Sequence, residues 1–182
     1  MKSVIKFFKN VLLVIELTIY IAYVHLEKVL FVGIIALDQY TKAQVENTMF
    51  PGETIPIIQD IFHITYVQNP GAAFGIFPYQ QNIFIGLGSL MLIFAAIYYS
   101  RLKKINPIVK YGGIFAAAGA LGNMIDRIRT GIVIDLFDMR IFNFPVFNVA
   151  DIAIVIGMFS LMYVVIFKSE ETENFKEVRQ LD

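Results

Sequence analysis

The chain has 182 residues, of which 57% are hydrophobic and 16% are charged, and its formal net charge is zero. A soluble domain usually carries about 25% charged residues, so apolar residues gathered into long runs indicate one integral membrane domain, 1–182. The zero net charge gives no reason to expect nucleic acid, and the absence of cysteine excludes disulfides, thiol nucleophiles and thiolate metal sites. His25 and His63 are far apart, so we expect neither a metal nor another cofactor.

The first apolar stretch follows a basic start, as in a signal peptide. It lacks a small-x-small cleavage pattern and Glu16 interrupts it, so we expect it to be retained. A span of ~20 residues that ends near "VGIIALDQ" lies at about 19–38. Charges inside it, such as Glu27 and Lys28, cost several kcal/mol unless they pair or reach the surface. Either one polar stripe faces the other helices, or a long helix starts on the membrane surface and enters later.

The later apolar runs are cleaner and predict three further membrane spans, at about 83–100, 107–125 and 152–167. Lys and Arg collect near the N-terminus, in the "RLKK" loop after the second span, and behind the fourth span. The positive-inside rule therefore places both termini in the cytoplasm. The connections 41–80 and 126–146 are then outer segments. The predicted fold is an α-helical, multi-pass membrane protein with four transmembrane helices.

The outer connection between the first two spans has the composition of β-strands. Its stretch "TIPIIQDIFHITYVQN" is rich in Ile, Thr, Tyr, Phe and Val, and it is bounded by "PGE" and "NPG". The following "NPGAAFG" predicts a turn. We therefore expect a small extracytoplasmic β-containing segment that packs on the membrane surface or on the helices.

Two carboxylates lie at one depth in this topology. The third span runs outward and ends at Asp126, and the fourth begins outside with Asp151, so a rise of about 1.5 Å per residue places both near the outer boundary. Each could be structural, since Asp151 suits a helix N-terminus and Arg127 could offset the unfavourable dipole at Asp126. Together they indicate acid–base chemistry: an ionised carboxylate takes a proton from water, and a protonated one donates to a carbonyl oxygen and later to the leaving amine.

Four stretches of the chain, in order, resemble motifs of the lipoprotein signal peptidases, the signal peptidase II family of bacterial aspartyl membrane proteases. They are "DQYTK" at 38–42, "NPGAAFG" at 69–75, "GNMIDR" at 122–127 and "FNVAD" at 147–151. The similarity covers about 29–168, and this chain has an N-terminal extension that family members usually lack. The resemblance implies that Asp126 and Asp151 are the catalytic pair.

The resemblance also implies supporting roles for other motif residues. Those that would shape the site or hold substrate are Asn69, Gly71, Asn123, Arg127, Asn148, Asp38 and Lys42. The asparagines could instead form turns or helix caps. Asp38 and Lys42, at i and i+4, could be a simple helix ion pair worth a few tenths of a kcal/mol.

The resemblance further implies a substrate, a prolipoprotein whose cysteine carries a diacylglyceryl group, cut just before that cysteine. At the outer face of a bacterial cytoplasmic membrane, its scissile bond would lie at the depth of the two aspartates. The signal helix would lie beside spans rich in small residues, and the outer strand segment would hold the peptide extended. Apart from substrate and membrane lipid no partner is indicated, and a monomer is expected.

Two other classes of protein compete with this interpretation. Intramembrane acids often mark proton relays, so the alternative is a small proton- or ion-coupled transporter. Against it, both acids lie at one face, and four spans without a repeat make a poor alternating-access scaffold. A membrane scaffold, with both acids as helix caps, is the third possibility.

Overall fold

The computed structural model of the protein describes residues 2–71, 80–101, 106–142 and 144–168. Their main elements are α1 (Lys2–Thr48), β1 (Thr54–Ile58), β2 (Phe62–Asn69), α2 (Gln81–Arg101), α3 (Pro107–Thr130), β3 (Val133–Met139) and α4 (Val149–Tyr163). A short 3-10 turn, Arg140–Phe142, follows β3, and a π-helical turn, Val164–Lys168, continues α4. The described part is therefore helical with one small sheet.

Helix α1 is 47 residues long and extends beyond both ends of the span predicted at 19–38. Its last turns are helical because a polar face packs against α3 while Val45 and Met49 join the core beneath the sheet. Farther back, Glu27 forms an ion pair with Lys110 of α3. At this position the predicted polar stripe therefore faces another helix.

Helices α3 and α4 approach each other closely through small residues. A β-carbon at Gly119 would collide with the carbonyl oxygen of Ala150, and one at Gly157 would lie 2.5 Å from the carbonyl oxygen of Gly112. Such residues allow backbones to meet and gain packing in an apolar environment. The small residues of the predicted third span therefore serve helix–helix packing.

Two described helices are long and apolar enough to cross a bilayer by length and composition, Pro107–Thr130 and Val149–Phe167. A shorter apolar helix covers Gln81–Ile97. The three later predicted spans thus fall on α2, α3 and α4. Of the predicted "RLKK" loop and the acidic tail, residues 102–105 and 169–182 lie outside the described residues.

The three strands form one antiparallel sheet in the order β1-β2-β3. The strand-like composition of the outer segment is confirmed, since β1 and β2 both lie within it. Strand β3 differs from the expectation, in which 126–146 is only a connection between two spans. It pairs with β2 so that Val67 faces Asp135 and Asn69 faces Val133. Phe147, just before α4, pairs with Phe137 on the other side of β3.

Candidate active site

The structure brings all the residues that the sequence assigned to the site into one network of hydrogen bonds and ion pairs. The network joins the C-terminal part of α1, the end of α3, the start of α4 and the end of β2. Gln39 of α1, outside the predicted set, joins it through Asp126, and one further carboxyl group, Asp135 of β3, completes it by linking Asn69 to Asn148. Residues 72–75 of the "NPGAAFG" motif lie outside the described residues.

Lys42 is the centre of the α1 side of the network. Its Nζ lies 2.8 Å from Asp38 Oδ2 and 2.9 Å from Asn123 Oδ1. Asp38 and Lys42 are only 0% and 2% exposed, and Asp38 Oδ1 also accepts a hydrogen bond from the backbone N–H of Ala150. The pair therefore joins α1 to α3 and α4, which a simple surface ion pair on one helix would not do.

Asp126 belongs to this α1 side. Lys42 Nζ is 2.8 Å from Asp126 Oδ2, but it lies off the line of a hydrogen bond, so this oxygen has an ionic partner and no donor. Gln39 Nε2 donates to Asp126 Oδ1 at 2.8 Å. The carboxylate is thus buried and held toward α1.

Asp151 belongs to the start of α4. Asn148 caps the helix by accepting from the backbone N–H of Asp151, and Asp151 Oδ2 accepts from the backbone N–H of Asn148 in return, a reciprocal capping box. Asn123 Nδ2 donates to Asp151 Oδ1 at 2.8 Å. From the sequence, Asp151 could be either a helix cap or a catalytic group. In the structure it takes part in the capping box of α4 and also contacts Asn123 of the site.

Asp135 is the site residue that sequence reasoning missed. It is 3% exposed, and its two carboxyl oxygens accept from Asn69 Nδ2 at 2.9 Å and Asn148 Nδ2 at 2.7 Å. Burial raises the pKa of Asp135 to about 7, and the charge of Asp151 adds to this rise, whereas the two amide hydrogen bonds oppose it. This carboxyl group therefore holds or releases a proton near neutral pH.

A cavity of about 730 Å³ opens beside these groups. Among the described residues its polar lining is Gln68, Asn69, Asn123, Arg127, Asp135 and Asp151, and its apolar lining includes the segment 144–147 and one face of α4. Asp38, Lys42 and Asp126 do not line it. The cavity therefore contains two carboxyl groups, Asp135 and Asp151, and they approach it from different elements.

Arg127 fixes one wall of the cavity. Its Nη2 donates to the carbonyl oxygen of Gly71 at 3.0 Å, and its guanidinium lies 4.9 Å from the centre of the Phe84 ring on α2. Gly71 is itself bound to Asn69, whose Oδ1 accepts from the Gly71 backbone N–H. The end of β2, α2 and α3 are thereby held together at the cavity.

The cavity offers proton-transfer chemistry. Two carboxyl groups meet amide donors and a guanidinium there, and the described residues contain no group of three or more His, Cys, Asp or Glu that could hold a metal ion. Two carboxyl groups in different surroundings can divide the roles of acid and base.

A sequence profile described as signal peptidase (SPase) II matches residues 30–167. The chain belongs to the signal peptidase II family. The lipoprotein signal peptidase of Clostridioides difficile (strain 630) is 45% identical over 138 residues, which cover 75% of this chain and 93% of that protein. The corresponding enzyme of Pelotomaculum thermopropionicum is 40% identical over 139 residues, which cover 76% and 90%.

Two solved structures have the same fold. Both are described as bacterial membrane enzymes determined by the in meso method, one at 2.3 Å and one at 1.9 Å resolution. The first has a TM-score of 0.78 at 30% identity and covers 82% of this chain and 92% of its own. The second has a TM-score of 0.73 at 31% identity, with coverages of 80% and 95%.

These comparisons confirm the function predicted from the four motifs. As a member of the signal peptidase II family, the chain is a bacterial membrane enzyme, an aspartic peptidase that removes signal peptides from prolipoproteins. The alternative of a transporter finds no support among them. The profile begins at residue 30, so the first part of α1 lies outside the family match.

Proposed function

We propose that the peptidase cuts diacylglyceryl-modified prolipoproteins just before the lipid-modified cysteine, with Asp135 and Asp151 as its catalytic pair. The observation that carries this assignment is that these two carboxyl groups line one cavity. They also differ in their surroundings, since Asp135 is buried in the sheet and Asp151 lies in the first turn of α4, where it completes the capping box with Asn148. A shared cavity and unequal environments are what a general acid and a general base require.

This proposal gives Asp126 a different role from the one predicted from sequence. Asp126 faces Lys42 and Gln39, and it is absent from the cavity lining. Its two carboxyl oxygens are occupied by Lys42 and Gln39, so they face α1 and not the cavity in which a substrate would bind. We therefore assign Asp126 to the structural side of the network.

The mechanism follows from the raised pKa of Asp135, which makes it the member that carries the proton. Asp151 takes a proton from water, and the water oxygen forms a bond to the scissile carbonyl carbon while Asp135 protonates the carbonyl oxygen. The carbon–nitrogen bond of the resulting tetrahedral intermediate then breaks. The leaving amine takes the proton held by Asp151, and Asp135 recovers the proton of the hydroxyl, so the pair ends as it began.

The apolar part of the cavity supports a lipid-modified substrate. Its lining continues from Asp151 along α4 through Ile152, Val155 and Ile156, and the segment 144–147 closes the opposite wall. An acyl chain or an apolar signal helix fits such a surface, and the polar groups beside it are placed to fix the peptide bond.

We also propose four membrane spans, with both termini in the cytoplasm and the cavity at the outer face. The distribution of Lys and Arg supports this orientation. A membrane-impermeant thiol reagent should label a cysteine placed at Glu53 and should not label one placed at Lys103. The opposite pattern would place the site in the cytoplasm and overturn the orientation.

The experiment that tests the catalytic pair is conversion of a purified diacylglyceryl-modified prolipoprotein in detergent or bilayer. Asp135→Asn and Asp151→Asn should each abolish cleavage, and Asp126→Asn, the matched control on α3, should still cleave. An active Asp135→Asn together with an inactive Asp126→Asn would return the role to the pair predicted from sequence.

A further inference from the structure

Lys42 has no contact with the catalytic cavity, yet its ammonium is connected to it. Three oxygen atoms surround its Nζ: Asp38 Oδ2 and Asn123 Oδ1 accept hydrogen bonds at 2.8 and 2.9 Å, and Asp126 Oδ2 is an ionic partner at 2.8 Å. An ammonium carries three donors and no acceptor. Of these three contacts, only the one to Asn123 leads onward to a group that lines the cavity.

The side-chain amide of Asn123 connects Lys42 to Asp151, and it uses a different atom for each of them. Its Oδ1 accepts from Lys42, and its Nδ2 donates to Asp151 Oδ1 at 2.8 Å. If the amide turned over, its oxygen would face the Asp151 carboxylate and its NH₂ group would face the ammonium, so both contacts would become repulsive. The Lys42 contact therefore selects the amide orientation that presents a donor to Asp151.

The same contact bears on Asp135 through Asn148. The two hydrogens of Asn148 Nδ2 face three acceptors, Asp135 Oδ1 at 2.7 Å, Asn123 Oδ1 at 3.1 Å and the Ile134 carbonyl oxygen at 3.2 Å. Asn123 Oδ1 thus accepts from both Lys42 and Asn148, which its two lone pairs allow. Turned over, the Asn123 amide would point its NH₂ group at Asn148 Nδ2, so the orientation that Lys42 selects also holds the side chain that donates to Asp135.

We propose that Lys42 is a positioning residue for the cleavage reaction, which acts on both catalytic carboxyl groups by fixing the side chain of Asn123. The inference rests on the proposed pair of Asp135 and Asp151. The charged groups that face this pair from the elements packed around it are Asp38, Lys42, Asp126 and Arg127. Among them, Lys42 alone is hydrogen-bonded to an amide that itself donates to Asp151.

A purely structural lysine and a positioning lysine differ in what their loss does to the pH profile. The ammonium and the donor it orients both favour the ionised member of the pair. Their loss should therefore move the acidic limb of the rate profile to higher pH. A loss of folding alone lowers the amount of active enzyme and leaves the limb where it was.

The test compares Lys42→Met, Asn123→Ala and the double variant with the parent enzyme, using the purified prolipoprotein assay across pH. Each single change should lower kcat by about 10- to 100-fold, the size found when a partner that orients a functional group is removed. The acidic limb of Lys42→Met should rise by about one pH unit. Because the lysine acts through Asn123, the double variant should be no slower than the slower single variant.

Two further measurements separate a loss of folding, a failure of this inference and a failure of the proposed catalytic pair. Lys42→Met leaves Asp38 and Asp126 without their cation. Adding Asp38→Asn removes one positive and one negative charge together, so the net charge of the buried cluster stays as in the parent enzyme. This variant should show the same shifted limb even if the single variant does not fold. An unmoved limb, or single losses that multiply in the double variant, would overturn the inference. Cleavage by Asp135→Asn in the same assay would instead overturn the catalytic pair, so the two failures are distinguishable.

Discussion

Asp126 and Asp135 are both nearly buried carboxyl groups, with 5% and 3% of their surfaces exposed, and they lie on opposite sides of Asn123 and Asn148. On the α1 side, Asp126 shares the Lys42 ammonium with Asp38. On the sheet side, the hydrogen-bond donors to Asp135 among the described residues are the neutral amides of Asn69 and Asn148. One carboxyl group is therefore compensated by a cation, and the other is left with a raised pKa.

The difference bears on which buried acid suits proton transfer. A nearby cation favours the ionised form of a carboxyl group, whereas burial among neutral donors favours its protonated form. Burial alone does not distinguish Asp126 from Asp135. Their partners do, and they favour the proposed roles of support on the α1 side and proton transfer on the sheet side.

The largest loss of cleavage activity should come from replacing either Asp135 or Asp151. Asp135→Asn and Asp151→Asn each take away a proton exchange that cleavage needs, and each should lower kcat by roughly a thousandfold or more. Single-turnover cleavage of the diacylglyceryl-modified substrate is the measurement. The double variant should be no slower than either single one, and a further large loss in it would show that the two acids act independently.

Asp126, on the α1 side, should matter more for stability than for cleavage. Asp126→Asn keeps the Lys42–Asp38 pair but leaves one acceptor oxygen for two neighbouring donors, Lys42 and Gln39. An unsatisfied buried donor should lower the free energy of unfolding by about 1 to 3 kcal/mol. Thermal unfolding in detergent measures this. A variant with parental stability and no activity would place Asp126 on the reactive side.

On the sheet side the same type of substitution should stabilise the protein. The pKa of Asp135 is raised from 3.8 to about 7, so folding favours its protonated form, and the stability it contributes is lost as pH rises through about 7. Asp135→Asn, which stays neutral, should therefore raise the free energy of unfolding by about 1 to 2 kcal/mol above that pH. It should change little near about pH 4. Unfolding measured at both pH values checks the sign, and equal stability at the higher pH would mean that Asp135 is not held protonated.

The smallest effect should come from Asp138, the other acid of β3. Its carboxylate accepts from Thr65 and pairs with the half-exposed Arg140, and it belongs to neither side of the network. Asp138→Asn should cost less than about 1 kcal/mol and leave most of the cleavage activity. The same prolipoprotein assay measures it, and a loss as large as that of Asp135→Asn would extend the reactive region along β3.

The sequence predicted which residues gather at the site better than it predicted which way their side chains face. Depth along two antiparallel helices placed Asp126 and Asp151 at one level, and both do lie at the corresponding ends of α3 and α4. Depth says nothing about rotation, and successive residues of a helix turn by about 100°. Asp126 faces α1 for this reason, whereas Asn123 of the same helix reaches both sides.

No local sequence pattern predicts that Asp135 belongs to the site. Its position depends on the pairing of β3 with β2, and these two strands are distant in the chain. A signal was nevertheless present. Asp135 stands between Ile134 and Leu136 in a run rich in β-forming residues, and both neighbours are buried. A carboxyl group within such a run is costly without a partner or a purpose, so it could have been considered as a site residue.

The close contacts between α3 and α4 fix how the two helices are aligned along their length. Gly112 meets Gly157 and Gly119 meets Ala150, so seven residues separate the two contacts on either helix. One residue inserted between them in either helix would slide the upper part by about 1.5 Å and turn it by about 100°, while reacting groups tolerate an error of about 0.5 Å. Asp151 comes directly after Ala150, so this spacing fixes the position along α4 of the carboxyl group that we propose as the general base. Insertions and deletions among homologous enzymes should therefore avoid this interval and accumulate elsewhere, as in the stretch of this chain before residue 30.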